Sequence, residues 1–296
     1  MDLPEDEESE DFKRINGLKE EKVKEKKREG DFNFQGAKLS EVDFSRMTIE
    51  GSLDFSYAVI RNDARFYEAK IGEILFFEGA KIGGSLSFEG TKIAADALFS
   101  KAKIGGSAWF DRAEIRGNAH FSGVEIGGSA SFRVAEIEGY AWFDEVTIGG
   151  SASFLKAKMG GSACFDGAKI EGEAEFTITE IKWACSFKDA EFKYPKAQQE
   201  ACRTARKTQE RIGDRVLADY HFYREMEAKR KLKHPIIRVL ELPVQYIFGY
   251  GVHPLWVITT WLLAVICLAL VYWMGNGVVA ADSFLEYFYF SVVTAA

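Results

Sequence analysis

Four cysteines (Cys164, Cys185, Cys202 and Cys267) and four histidines are the side chains best able to bind a metal or attack a substrate. No two cysteines have metal-ligand spacing, and no dense disulfide framework is visible. A reducing cytoplasm suits them. Cys185 takes a place that other units of the chain give to a small inward alanine, so it reads as a small buried thiol. His120 stands alone in the central region and reads as surface, and His221 falls in a helical segment and reads as a helix residue. No carboxylate pair, histidine cluster or nucleophile–base arrangement recurs. The chain therefore reads as a non-enzyme, with no catalytic residue, cofactor or metal site assigned. The repeated Gly-Gly-Ser turns lack the lysine and the strand–loop–helix context of a phosphate-binding loop.

What remains is the chemistry of charge and lipid. Residues 195–241 carry 12 basic and 7 acidic side chains, directly before the most apolar part of the chain. That arrangement suits cytoplasmic lysines and arginines flanking a membrane span. The cluster from Lys229 to Arg238 suits anionic lipid headgroups. Residues 255–274 contain no charge and are long enough to cross the hydrocarbon. Trp256, Tyr272 and Trp273 near its ends serve as interfacial anchors. The stretch 235–253 is amphipathic and aromatic and reads as an interfacial segment broken near Pro243 and Gly249. After the span (254–275) and a polar linker, residues 283–296 form an apolar run too short to cross. Asp282 or Ser283 can cap it, and Glu286 completes a capping box with Ser283. A half-crossing helix requires shelter from protein or a water-filled cavity.

The N-terminus, residues 1–30, is an acidic and charged cap without a secretory signal. Residues 1–17 read as disordered, and the following charged stretch as a nascent helix over the end of the next domain. Its Lys-Glu-Lys-Lys-Arg run is balanced by acids and reads as a solvated face, so no nucleic acid is assigned.

Between residues 31 and 194 the pattern is a repeat. Phenylalanine recurs every 11 residues from Phe44 to Phe187 without a slip, and a second apolar series runs from Ile49 to Phe192 five residues behind. Small residues precede each by two, as Ala108 precedes Phe110 and Ala113 precedes Ile115. An 11-residue period also fits a right-handed coiled coil, but Gly or Gly-Gly in nearly every unit argues against helix. Small-x-large pairs are short strands with both side chains on one side, joined at corners and stable only when stacked. The outward residues Trp109, His120, Ser131, Trp142, Ser153, Cys164, Glu175 and Ser186 vary freely. Trp109 and Trp142 are three units apart and should lie on opposite sides.

These units resemble the pentapeptide-repeat proteins. The resemblance implies a right-handed quadrilateral parallel β-helix with two units per coil, about seven coils and a rod on the order of 30 Å long. The fold class expected is this all-β helix, then a long α-helix over 195–234 that caps the last coil, then an α-helical membrane region. Pro195 suits that helix's first turn. Ala201, Ala205, Ile212, Val216, Tyr220 and Tyr223 give it one apolar face, with a bend at Gly213.

The span, loop and Phe284–Thr294 run resemble the two-span potassium-channel pore module. By that resemblance Ser291, Val292, Val293 and Thr294 lead toward a selectivity filter, which with the inner helix lies beyond Ala296. It implies a potassium ion or other monovalent cation as the permeant species and a homotetramer. It also implies a cell-membrane location with the β-helix in the cytoplasm as a regulatory or docking domain. The competing expectation is a membrane-tethered β-helical scaffold that binds a protein partner. DNA mimicry, known among pentapeptide-repeat proteins, suits a strongly acidic rod. Residues 31–194 hold 18 bases against 25 acids, which argues against it.

Overall fold

The computed structural model describes residues 10–177, 179–252, 254–274 and 283–295. Residues 1–9, Ile178, His253, the linker 275–282 with its proposed cap Asp282, and Ala296 lie outside the described residues, as does the side chain of Trp256. The chain divides into two compact units, Met1–Ala228 and Lys229–Ala296.

In the first unit, two-residue strands stack into four parallel sheets, one of eight strands and three of seven. Each strand pairs with the one 22 residues later: Ala108 with Ala130, and Trp109 with Ser131. One coil is therefore two 11-residue units, and the architecture is a quadrilateral parallel β-solenoid. In every strand but the last, Glu191–Phe192, one of the two residues is buried and the other is generally outward.

The phenylalanines fill the interior as two columns. Within a column, rings lie face to face at the coil spacing: Phe110 and Phe132 have centroids 4.9 Å apart and an interplanar angle of 1°. Between columns they meet edge to face, as Phe121 meets Phe132 at 5.2 Å and 88°. The strand spacing of about 4.8 Å sets the stacking distance, and the aromatic quadrupole favours the edge contacts.

Corners obey the same period. The second turn residue of a unit has a left-handed φ, as at Gly123 (66°) and at Val134 (58°). At the Gly-Gly-Ser corner, a Cβ on Gly128 would lie 2.5 Å from Ser107 Oγ and 2.9 Å from the Gly106 carbonyl carbon. Bare backbone there lets Ser107 Oγ accept the Ser129 N–H at 3.1 Å, and Ser129 Oγ accept that of Ser151 at 3.1 Å.

Helices close both ends. α1 (Glu10–Glu29) covers the first coil. It begins within the stretch expected to be disordered, because Gly17 is carried inside the helix instead of preceding it. α2 (Pro195–Ile212) packs on the last coil, with Tyr194 extended and Pro195 in its first turn. The expected single helix over 195–234 is two. Gly213, at φ 84°, takes the left-handed cap position and ends α2, and α3 (Arg215–Lys231) follows. The break changes the expected apolar face: Ala201 and Ala205 are fully buried, but Ile212 and Val216 are 45% and 81% exposed. α3 instead buries Ala218, His221, Glu225 and Ala228.

In the second unit, α4 (Pro235–Leu240), α5 (Leu242–Tyr246) and a 3-10 turn (Gly249–Gly251) lead to α6 (Pro254–Met274). The helix break falls at Glu241, and Pro243 sits in the first turn of α5. α7 (Phe284–Ala295) packs against α6.

Candidate functional site

α6 is long and apolar enough to cross a membrane over Val257–Met274. Within that stretch only Val265 and Ala269 are buried. α7, at 12 residues, is too short to cross. Ser283 N–H donates to Glu286 Oε2 at 3.3 Å, one arm of the capping box. Tyr272 meets Phe290 edge-on at 5.3 Å, and Trp273 meets Phe284 at 6.2 Å. Of the four residues singled out near the end of α7, Ser291 is fully buried and its hydroxyl donates to the Tyr287 carbonyl at 2.8 Å. Thr294 Oγ1 donates to the Phe290 carbonyl at 2.9 Å. Val292 is half-buried and Val293 exposed. Consecutive residues of one helix point different ways, so these four do not converge on one point. Cys267 is exposed on α6.

Upstream of α6, Ile236, Val239 and Leu240 are exposed beside the basic cluster. The cluster is partly self-bonded: Arg238 Nη2 donates to the Lys231 carbonyl at 2.6 Å, and Lys233 pairs with Glu241.

The rod offers two kinds of functional surface. At its ends, alternate carbonyls of the terminal coils have no further coil to bond, and long side chains donate to them instead. Lys19, Lys26 and Lys27 of α1 donate to the carbonyls of Lys38, Asn33 and Asp43 at 2.6, 2.8 and 2.5 Å. Lys27 also lies 3.8 Å over the Phe44 ring, and burial pushes its pKa below the usual lysine range. At the other end, Gln209 Nε2 donates to the Cys185 carbonyl at 2.8 Å, and Arg211 Nη2 to the Ile181 and Lys182 carbonyls at 2.7 Å. Arg224 Nη2 donates to the Ala190 carbonyl at 2.9 Å. These bonds satisfy carbonyls that a further coil would otherwise bond, and the helices cover both ends against edge pairing.

The C-terminal cap also holds a buried polar set. Both oxygens of Glu225, which is 6% exposed, accept hydrogen bonds at 3.0 Å, one from Arg203 Nε and the other from Arg206 Nε. His221 is fully buried, and neither ring nitrogen has a partner. Burial pushes its pKa down to about 4, Asp166 opposing and Arg224 assisting. Cys185 is fully buried and Cys202 nearly so. Burial pushes the Cys185 thiol well up and the Cys202 thiol up to about 12. Such thiols are poor nucleophiles at neutral pH. Among the described residues no group of His, Cys, Asp and Glu side chains could hold a metal ion.

Along its length, the rod presents four ladders of outward residues, and they differ. The first, running from Lys38, and the third, from Thr48, carry lysine–glutamate pairs between adjacent coils, such as Lys103–Glu125 and Lys92–Glu114, both at 2.7 Å. The second holds Trp109 between Ser87 and Ser131. The fourth carries Phe76, Leu98, His120, Trp142 and Cys164 in succession. His120 stacks on Trp142 at 4.1 Å, and Tyr140 stacks on the same indole at 5.5 Å. His120 is thus half-buried in an aromatic group and not plain surface. The outward positions read as freely variable because successive units alternate between two opposite faces. Taken every 22 residues, the same letters separate into one mixed polar ladder and one apolar one.

A family model described as pentapeptide repeats matches residues 110–158. The solenoid that contains them is a pentapeptide-repeat domain, joined in this chain to one helix of membrane-crossing length. No curated protein and no solved structure matches the chain.

Proposed function

We propose that this protein is a membrane-tethered β-solenoid scaffold, whose rod stands in the cytoplasm and binds a protein partner. The observation that carries the reading is the pairing of an end-capped rod with an uncharged 21-residue helix; among the described residues no set of reactive side chains converges. Regular outward ladders at fixed spacing suit a docking surface. The basic excess before α6 supports that orientation by the positive-inside rule. The exposed apolar residues of α4 beside Lys229–Arg238 suit a headgroup-level segment over anionic lipid. The test is fractionation with proximity labelling: a labelling enzyme fused to the N-terminus should mark cytoplasmic proteins in the membrane fraction. Deletion of 254–274 should release both rod and marked partners to the soluble fraction. A chain extracted by carbonate, or a rod labelled only from outside the cell, would refute this reading.

A second reading is favoured by one observation. α7 is a short helix with a capping box, laid against α6 with Ser291 buried. It suits a pore helix, with Ser291, Val292, Val293 and Thr294 supporting a filter beyond residue 296. In a four-subunit assembly, carbonyls of such a filter would strip water from potassium or another monovalent cation. The rod would then serve as a regulatory domain of the channel. The coding sequence downstream decides: a Thr-x-Gly-Tyr/Phe-Gly run and a further apolar span support the channel, and a stop codon removes it for this chain acting alone.

A further inference from the structure

The solenoid's interior dictates which side chains point inward and leaves the outward ones free. An apolar ladder on the outside therefore has no folding reason. The fourth face has five consecutive coils without a charged outward residue, from Phe76 to Cys164, and among the described residues it alone bears a stacked outward aromatic group, His120–Trp142–Tyr140. At about 4.8 Å per coil it is roughly 20 Å long.

Its surroundings are equally distinct. On the first and third faces, lysines and glutamates neutralise one another along the ladder. The corners beside His120, Trp142 and Cys164 carry Glu138, Asp144, Glu145 and Asp166 against Arg116, while the corner beside Leu98 matches Lys101 with Asp96 in number. None of the four acids is in an ion pair among the described residues. Asp144 accepts a hydrogen bond from Ser122 Oγ and Asp166 from the Lys188 N–H. An uncharged aromatic strip edged by unpaired carboxylates is complementary to apolar side chains flanked by cations. The same acids repel nucleic acid and anionic lipid. A second copy of the face would set like charges together.

We infer that the fourth face is a docking surface for a basic protein segment, with one or more apolar side chains seated on Trp142, His120 and Leu98 and lysines or arginines against Glu138 and Glu145. This rests on the scaffold reading and assigns its binding surface.

The test uses the full chain in zwitterionic lipid nanodiscs as bait for a phage-displayed library of random 12-residue peptides. Enriched sequences are then synthesised with a fluorophore and titrated by anisotropy. Expected are peptides with lysine or arginine around tryptophan, phenylalanine or leucine. Trp142→Ser should weaken them at least tenfold, and Glu138→Lys with Glu145→Lys should do the same. Trp109→Ser, on the opposite face, should leave the Kd within twofold. Leu98→Ser is the second variant should Trp142→Ser fail to fold by circular dichroism. Peptides that bind equally to the Trp142→Ser and Leu98→Ser chains, or that are lost with Trp109→Ser, would overturn this face while leaving the scaffold reading intact. No enrichment, acidic peptides, or peptide-free self-association abolished by Trp142→Ser would overturn the basic occupant. The fractionation experiment independently reports whether the tethered scaffold stands.

Discussion

Replacing Phe121 by alanine removes a ring from the middle of the rod. That ring is 1% exposed. It lies face-on to Phe99 at 4.8 Å and Phe143 at 5.0 Å, and edge-on to Phe110 at 5.1 Å and Phe132 at 5.2 Å. A buried Phe→Ala change costs about 3–5 kcal/mol. Four aromatic neighbours, and a two-column interior that cannot collapse without breaking the coil spacing, place this site at about 5 kcal/mol. Phe121→Leu keeps most of the volume and should cost about 2 kcal/mol. Phe187 has one face-on partner, Phe165 at 4.6 Å, so its alanine variant should cost less than that of Phe121. Each coil touches only its neighbours, so hydrogen-exchange protection should fall first in the coils on either side of residue 121. The assay is urea unfolding of the full chain in nanodiscs, read by tryptophan fluorescence and exchange mass spectrometry. A cost for Phe121→Ala below about 2 kcal/mol, or equal costs at positions 121 and 187, would refute the column as the source of stability.

Other perturbations test the corners and caps. Val134 is the one β-branched residue with a left-handed φ among the described residues, at 58°; Val134→Asn should raise stability by about 1 kcal/mol, seen as a higher thermal midpoint. The folded His221 ring stays neutral down to about pH 4, whereas the unfolded one protonates near 6.5. Its contribution is therefore intact above pH 6.5 and declines as pH falls toward 4, by on the order of 3 kcal/mol. His221→Phe should flatten that part of the stability–pH curve, and an unchanged slope would show that other groups set it. Glu225→Gln leaves Arg203 and Arg206 facing an amide and should cost about 2 kcal/mol, with fraying of α3 detected by exchange. Deleting residues 10–29 bares the first coil's carbonyls and should produce concentration-dependent end-to-end association by light scattering. A monodisperse product would show that α1 is dispensable as a seal.

The solenoid was legible because its inward positions admit few substitutes. Phe44 through Phe187 hold an 11-residue register that no helix rich in Gly-Gly could use. That two units make one coil came from likeness to known repeats, since period alone does not count the sides of a coil. That helices cap both ends was legible, but the side chains that make the capping bonds were not, for a physical reason. Lys19, Lys26, Lys27, Gln209 and Arg211 have the composition of a solvated face, and only the open carbonyls of a terminal coil give them a task. The break at Gly213 reads as a bend because a mid-helix glycine and a left-handed cap look alike in one sequence. The apolar ladder from Phe76 to Cys164 was present in the letters but interleaved with those of the opposite face. The residues Ser291 to Thr294 rest on the resemblance to a pore module, and the hydroxyls of Ser291 and Thr294 bond to the preceding turn.

The 22-residue coil also acts as a ruler with a fixed grain. A duplication of one whole coil lengthens the rod by about 4.8 Å and leaves every downstream residue on the side it had. A duplication of a single 11-residue unit adds half a coil and turns everything beyond it by half a revolution. A partner held at Trp142 would then face away from any neighbour it met before. Changes of length in this lineage should therefore come in steps of 22 residues wherever orientation matters, and in steps of 11 where only reach does.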